Sequence, residues 1–198
     1  MQRVERSVFG ELNGKPIHLF RLANANGMVA ELLEFGGRIK ALCIPDGKGG
    51  TDNMSVGYDT FEPYHARFNP WLGALLGRTA SRITGAQFQI DGKAYNLSAS
   101  GPAGSSMHGG FVGFDSRVWA GEADSDATGA TLKLTYLSPD GEEGYPGNAS
   151  VTVTYRLDDD NRFHMNWEAT TDAPTIIDMS SHVYLNLNGF KNRDIMNE

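Results

Sequence analysis

The chain has a single cysteine, Cys43, among 198 residues, which rules out a disulfide within it and any site built on several thiolates. Cys43 falls on the apolar phase of Ile39, Ala41 and Cys43, so a buried structural thiol is expected rather than a nucleophile. Long apolar runs are also missing. The start, Met1-Gln2-Arg3-Val4-Glu5-Arg6, has no apolar leader core, and no later stretch reaches membrane-spanning length. A cytoplasmic protein with no membrane partner is the expectation. Basic charge is in deficit, with 17 Lys and Arg against 24 Asp and Glu and a formal net charge of −7. Nucleic acid is excluded as a partner on that ground, because its affinity rests on neutralising phosphates. The five histidines show no His-x-His or His-x-x-His spacing, and neither Gly-x-Ser-x-Gly nor Gly-x-Gly-x-x-Gly occurs. Zinc, serine-hydrolase and dinucleotide chemistries therefore lack their motifs, and no metal or cofactor is expected.

Glycine, by contrast, is abundant. Its 24 residues are about 12% of the chain against a usual ~7%, and they are dispersed between intact apolar runs, as in the turns of an all-β protein. Alternation with period two dominates those runs. Leu132, Leu134 and Tyr136 form one series, Val151, Val153, Tyr155 and Leu157 a second, and Phe163, Met165 and Trp167 a third. Each reads as a strand with one face in a core. Noisier strands are expected over 17–22, 28–35 and 38–44. Asp91-Gly92 separates two short runs by two residues, a hairpin signal. Only 61–66 and 71–76 read as short helices. The expected fold class is all-β, a large antiparallel β-sandwich, with residues 1–198 as one domain. The polar stretch 188–198 reads as a loop leading to another element, so truncation at the C-terminus is expected. A sheet ending there leaves edges unpaired, with self-association through them as the expected consequence.

Several residues stand in contexts suited to a ligand. His108 precedes Gly109-Gly110 and follows a loop of Gly, Ser, Ala and Pro over 100–106, where the backbone can come close to a bound molecule. A surface loop histidine is the competing reading. His182 alternates with Tyr184 and Asn186, and such a face is costly to bury unless each polar group finds a partner. A cleft lining and a solvent face fit it about equally. Arg78 and Arg82 frame Thr79-Ala80-Ser81, and the guanidinium fork matches vicinal hydroxyls or a carboxylate. Asp140-Gly141-Glu142-Glu143-Gly144-Tyr145-Pro146-Gly147 is a loop. Its acidic pair is open to use as a base or as calcium ligands, although the turn itself is the simpler role and no EF-hand frame is present. Tyr145 offers an aromatic face to the CH groups of a sugar.

At these residues the chain resembles the aldose 1-epimerase (galactose mutarotase) family. The resemblance is carried by Gly77-Arg78-Thr79-Ala80-Ser81-Arg82-Ile83, Asp91-Gly92-Lys93 with Tyr95 and Leu97, and His108-Gly109-Gly110. It continues in Gly113-Phe114-Asp115, Trp119, residues 138–147 and His182-Val183-Tyr184-Leu185-Asn186-Leu187. These pieces run in the family's order over nearly the whole chain. The resemblance implies a β-sandwich with a sugar cleft on one sheet, and interconversion of the α and β anomers of hexoses such as galactose or glucose. An acid protonates the ring oxygen while a base takes the anomeric proton, and the opened ring recloses on the other face.

Carried over residue by residue, the resemblance makes His182 the general acid, an office suited to a side-chain type that titrates near neutrality. It gives His108 and Arg82 hydrogen bonds to the sugar and its developing charge, with Ser81, Tyr184 and Arg78 completing the substrate-binding set. Ser81 and Ser181 stand where the family usually shows asparagine, and each lost sugar hydrogen bond costs on the order of 1 kcal/mol. Leu185 replaces a usual aromatic. The family's catalytic base, a glutamate, and a substrate-binding aspartate fall beyond Glu198, so these 198 residues alone are expected to lack the base. Two other readings are carried forward: a non-catalytic carbohydrate-binding module, and an epimerase-like protein acting on hexose 6-phosphates.

Overall fold

A computed structural model describes residues 2–66 and 69–189. Strands β1 (Val4–Leu12), β2 (Lys15–Ala23), β3 (Val29–Leu33), β4 (Arg38–Pro45) and β5 (Thr51–Asn53) pair in chain order into one antiparallel sheet. A middle section of short strands follows: β6 (Leu75–Leu76), β7 (Arg82–Ile83), β8 (Gln87–Ile90), β9 (Lys93–Asn96) and β10 (Ser106–Met107). Strands β11 (Ala120–Asp126), β12 (Gly129–Ser138), β13 (Ala149–Asp158) and β14 (Phe163–Thr171) make a second antiparallel sheet, again in chain order. Strand β15 (Ser180–Ser181) returns to pair with β6. The described helical turns are all short 3-10 pieces. No helix among the described residues is long and apolar enough to cross a membrane.

The two large sheets face each other over one core. Ala149, Val151, Val153, Tyr155 and Leu157 of β13 and Ala130, Leu132 and Leu134 of β12 are buried against Phe20, Leu22, Ala30 and Leu32 of the first sheet. The period-two alternation in β12 and β13 is the direct cause, since successive side chains point to opposite faces. Tyr155 crosses the layer to donate its hydroxyl hydrogen to the Gly37 carbonyl at 2.5 Å. The expected antiparallel β-sandwich is therefore the fold. Asp91 and Gly92 have φ of 51° and 76°, the left-handed pair of a type I′ turn, and join β8 to β9 as their sequence predicts.

Two local expectations differ from the structure, the helix over 71–76 and the burial of Cys43. Residues 71–76 form no helix, because Trp71 and Gly73 adopt φ of 55° and 66°, which ends any right-handed turn. Residues 61–66 do contain one 3-10 turn, Glu62–His65. Cys43 is only half-buried, although burial still raises its thiol pKa. Residues 190–198, most of the polar C-terminal stretch, lie outside the described residues.

Candidate functional site

Three turns with left-handed, non-glycine residues at their apices build the site: Trp71, Ser81 and His108 have φ of 55°, 59° and 52°. Such geometry is uncommon, above all for a bulky residue, and persists only where surrounding bonds over-determine it. Those bonds are present. Asn69 Oδ1 accepts the Trp71 N–H at 2.9 Å, and the Trp71 carbonyl accepts from Ala74 at 3.0 Å. The buried Arg38 donates to the Leu72 carbonyl at 3.0 Å and to the Asp115 carbonyl at 3.1 Å, tying the tryptophan turn to the loop after His108. Burial lowers the Arg38 pKa to about 10, which leaves it charged at neutral pH.

Strands β7 and β10 hold Ser81 and His108 together. The His108 N–H donates to the Ser81 carbonyl at 2.9 Å, and the Ser81 N–H donates to His108 Nδ1 at 3.1 Å. A backbone N–H can only donate, so Nδ1 is the acceptor and the neutral ring carries its proton on Nε2. Desolvation first, then the charges of His182 and Arg82, push the His108 pKa down to about 4. His108 is thus a neutral ring presenting a fixed N–H donor.

His182 arrives from the other end of the chain. Its N–H donates to the Ala74 carbonyl at 2.8 Å, and its own carbonyl accepts from Gly73 at 3.0 Å, so it is threaded onto the tryptophan turn. The His108 and His182 rings meet edge to face with centroids 5.4 Å apart. Trp71 lies 5.0 Å from His108 and 6.0 Å from His182, and Tyr184 lies 5.0 Å from His182. Tyr184 is 44% exposed, and Arg82 and Ser81 are exposed on the same β7 turn. Chemically, this is an aromatic floor with an N–H donor, a second imidazole and a guanidinium nearby. A cleft of about 570 Å³ is lined by Trp71 together with Phe35, Asn69, Phe111 and Asp115. It borders the histidine pair through Trp71 and does not contain it.

The structure brings His108, His182, Ser81 and Tyr184 together, with Arg82 beside them, and separates Arg78 from them. Arg78 is 2% exposed and donates to Ser138 Oγ and to the carbonyls of Ser138, Pro139, Pro146 and Gly147 at 2.8–3.0 Å. Its guanidinium is spent on the 138–147 loop, so the expected sugar contact from Arg78 gives way to a structural role. Tyr145 is likewise buried. Its hydroxyl is bonded to Thr79 Oγ1 at 2.5 Å and its ring stacks on Phe88, leaving no face for a sugar. In the acidic pair, Glu142 accepts from the hydroxyls of Tyr136 and Ser138 and pairs with Arg117. No cluster of three or more metal-ligating side chains occurs among the described residues.

Trp71 is the site residue the sequence did not reveal. Nothing local marks a tryptophan for a left-handed turn. The one usable signal is Asn69-Pro70 before it, a turn-initiating pair.

Fold and side chains together define a β-sandwich protein with an imidazole- and aromatic-lined site on its surface. The aldose 1-epimerase family profile matches residues 18–198, and the chain belongs to that family. A galactose mutarotase of Rattus norvegicus is 36% identical over 197 residues, covering 98% of this chain and 55% of the relative. An aldose 1-epimerase of Escherichia coli (strain K12) is 37% identical over 177 residues, covering 89% of this chain and 50% of the relative. The chain spans about half the length of the curated relatives it matches. The crystal structure of a galactose 1-epimerase from Lactobacillus acidophilus NCFM superposes with a TM-score of 0.84 at 29% identity, covering 93% of this chain and 53% of that one.

Proposed function

We propose that these residues bind an aldose such as galactose or glucose and supply the acid side of its anomeric interconversion. The observation that carries this reading is the His108–His182 pair, edge to face at 5.4 Å and both within 6.0 Å of Trp71. A pyranose presents apolar CH groups on its faces and hydroxyls at its rim. The rings of Trp71 and Tyr184 suit the CH groups, and His108 Nε2–H and Arg82 suit the oxygens. Beside the neutral His108, His182 takes the role of general acid at the ring oxygen that the family resemblance implies. Ring opening leaves charge on the sugar oxygens, where a fixed N–H and a guanidinium stabilise it.

The residues that define the site include no carboxylate, and the base is expected from the family's glutamate outside these 198 residues. Sugar binding without turnover is the second reading, favoured by that same composition. The hexose 6-phosphate reading loses its arginine pair, since the Arg78 guanidinium is committed to backbone carbonyls.

Titration with freshly dissolved α-D-galactose, followed by NMR, tests both binding and rate. The ring signals of His108 and His182 are expected to move together. Rings that stay put over a millimolar titration would remove the sugar-site reading. Anomer equilibration faster than buffer, lost in His182→Ala, would establish a working epimerase with His182 as its acid. A baseline rate with clear binding would leave the binding role standing without catalysis by this chain alone.

A further inference from the structure

We propose that Glu143 is a positioning residue that clasps the 108–112 loop and so fixes the attitude of the His108 ring; this rests on the reading that His108 belongs to the sugar site. Glu143 Oε2 accepts the Phe111 N–H at 2.8 Å, and Oε1 accepts the Val112 N–H at 3.1 Å. Both oxygens of one carboxylate are thus engaged by two successive backbone donors, the stronger, charge-assisted kind of hydrogen bond. The contact is close enough to dictate sequence on the other side. Gly110 has φ of 124°, and a Cβ placed there would lie 2.1 Å from Glu143 Oε2, so only glycine admits the carboxylate at this distance.

Glu143 is itself held in place. Its φ is 51°, left-handed for a residue with no intrinsic preference for that region. Its carbonyl accepts the Ser98 N–H at 3.0 Å. The next residue, Gly144, lies so close to the Asn96 carbonyl that a Cβ would stand 2.1 Å from its oxygen. A well-held anchor therefore grips a loop that contains two successive glycines, Gly109 and Gly110. On the near side, the Gly110 N–H closes a turn onto the Met107 carbonyl at 3.1 Å, and Met107 is paired in β10. His108 sits between these two pinned points. With both carboxylate oxygens engaged by the loop backbone, Glu143 acts through His108.

The test compares the unaltered protein with Glu143→Gln and Glu143→Ala by ¹H–¹⁵N NMR, at neutral pH and without sugar. Loss of the clasp is expected to shift the Phe111 and Val112 amide protons upfield in both variants, more in Glu143→Ala. The His108 ring nitrogens are expected to move away from the fixed acceptor-Nδ1, protonated-Nε2 pattern toward tautomer averaging. A merely structural role would lower the melting temperature and leave those ring nitrogens where they are, and that outcome would overturn the proposal. Glu143→Gln, which keeps size and one accepting oxygen, carries the test if Glu143→Ala does not fold. A galactose titration then reads the consequence, expected as roughly tenfold weaker binding in Glu143→Ala. If the unaltered protein ignores galactose, the sugar-site reading fails, while the ring nitrogens still decide the role of Glu143.

Discussion

His108 is the point where the electrostatics of the site converge. Its ring is desolvated, faces His182 and feels Arg82, and these effects together bring its pKa down to about 4. A histidine in the unfolded chain titrates near 6.5, so the fold favours the neutral ring. The resulting contribution to stability is complete above about pH 6.5, and it is lost as pH falls toward 4. The stability of the unaltered protein relative to His108→Gln, measured in urea, is expected to shrink across that window and level off below it. A His108 ring that titrates near 6.5 by NMR would refute the neutral-donor assignment. The same scale separates the two arginines of one motif. Arg78 and Arg82 stand four residues apart in a segment rich in small side chains, and both offer the same fork of donors to a sugar. Only the packing of the 138–147 loop over Arg78 distinguishes them, and no local feature of 77–83 encodes that packing.

Among the elements, legibility followed how much of the fold each segment carries in its own side chains. Strands β12 and β13 announce themselves because every second residue is buried, and the β8–β9 hairpin does so because Asp-Gly suits a type I′ turn. Strands β1 and β11 gave no such signal. Their residues are largely exposed or polar, and they are strands because β2 and β12 offer them a ladder. The 108–113 loop makes the most exacting demand on sequence. Gly109 has φ of 95°, and a Cβ there would stand 1.7 Å from the Gly77 carbonyl oxygen. Gly109→Ala combines a strained φ with a backbone collision, and a loss of about 3 kcal/mol or more is expected. For a chain of this length that corresponds to a melting temperature lower by roughly 6–12 °C. A variant within 1–2 °C of the parent, by a thermal scan, would show that the loop can step aside.

At the scale of the molecule, the two sheets meet through apolar side chains, and a buried polar link runs between them from Tyr155 to the Gly37 carbonyl. Burial holds the Tyr155 hydroxyl well above the usual tyrosine range, so it remains a donor at any working pH. Tyr155→Phe leaves the Gly37 carbonyl without this donor in the interior, at an expected cost of about 1–3 kcal/mol in urea unfolding. A change below about 0.5 kcal/mol would mean that the carbonyl finds another partner. What the sequence determined by itself was whatever short-range chemistry can specify: the period-two faces of the sandwich, its glycine turns, the deficit of basic charge, and the motifs that carry the family. The tertiary structure decided which of those polar side chains meet. Trp71, Ser81, His108 and His182 are up to 111 residues apart, and they come together through backbone bonds between turns. Whether a guanidinium faces solvent or a ring of carbonyls depends on the chain that folds over it. Burial and proximity belong to the assembled layers, and hence so do the donor role of His108 and the burial of Arg78.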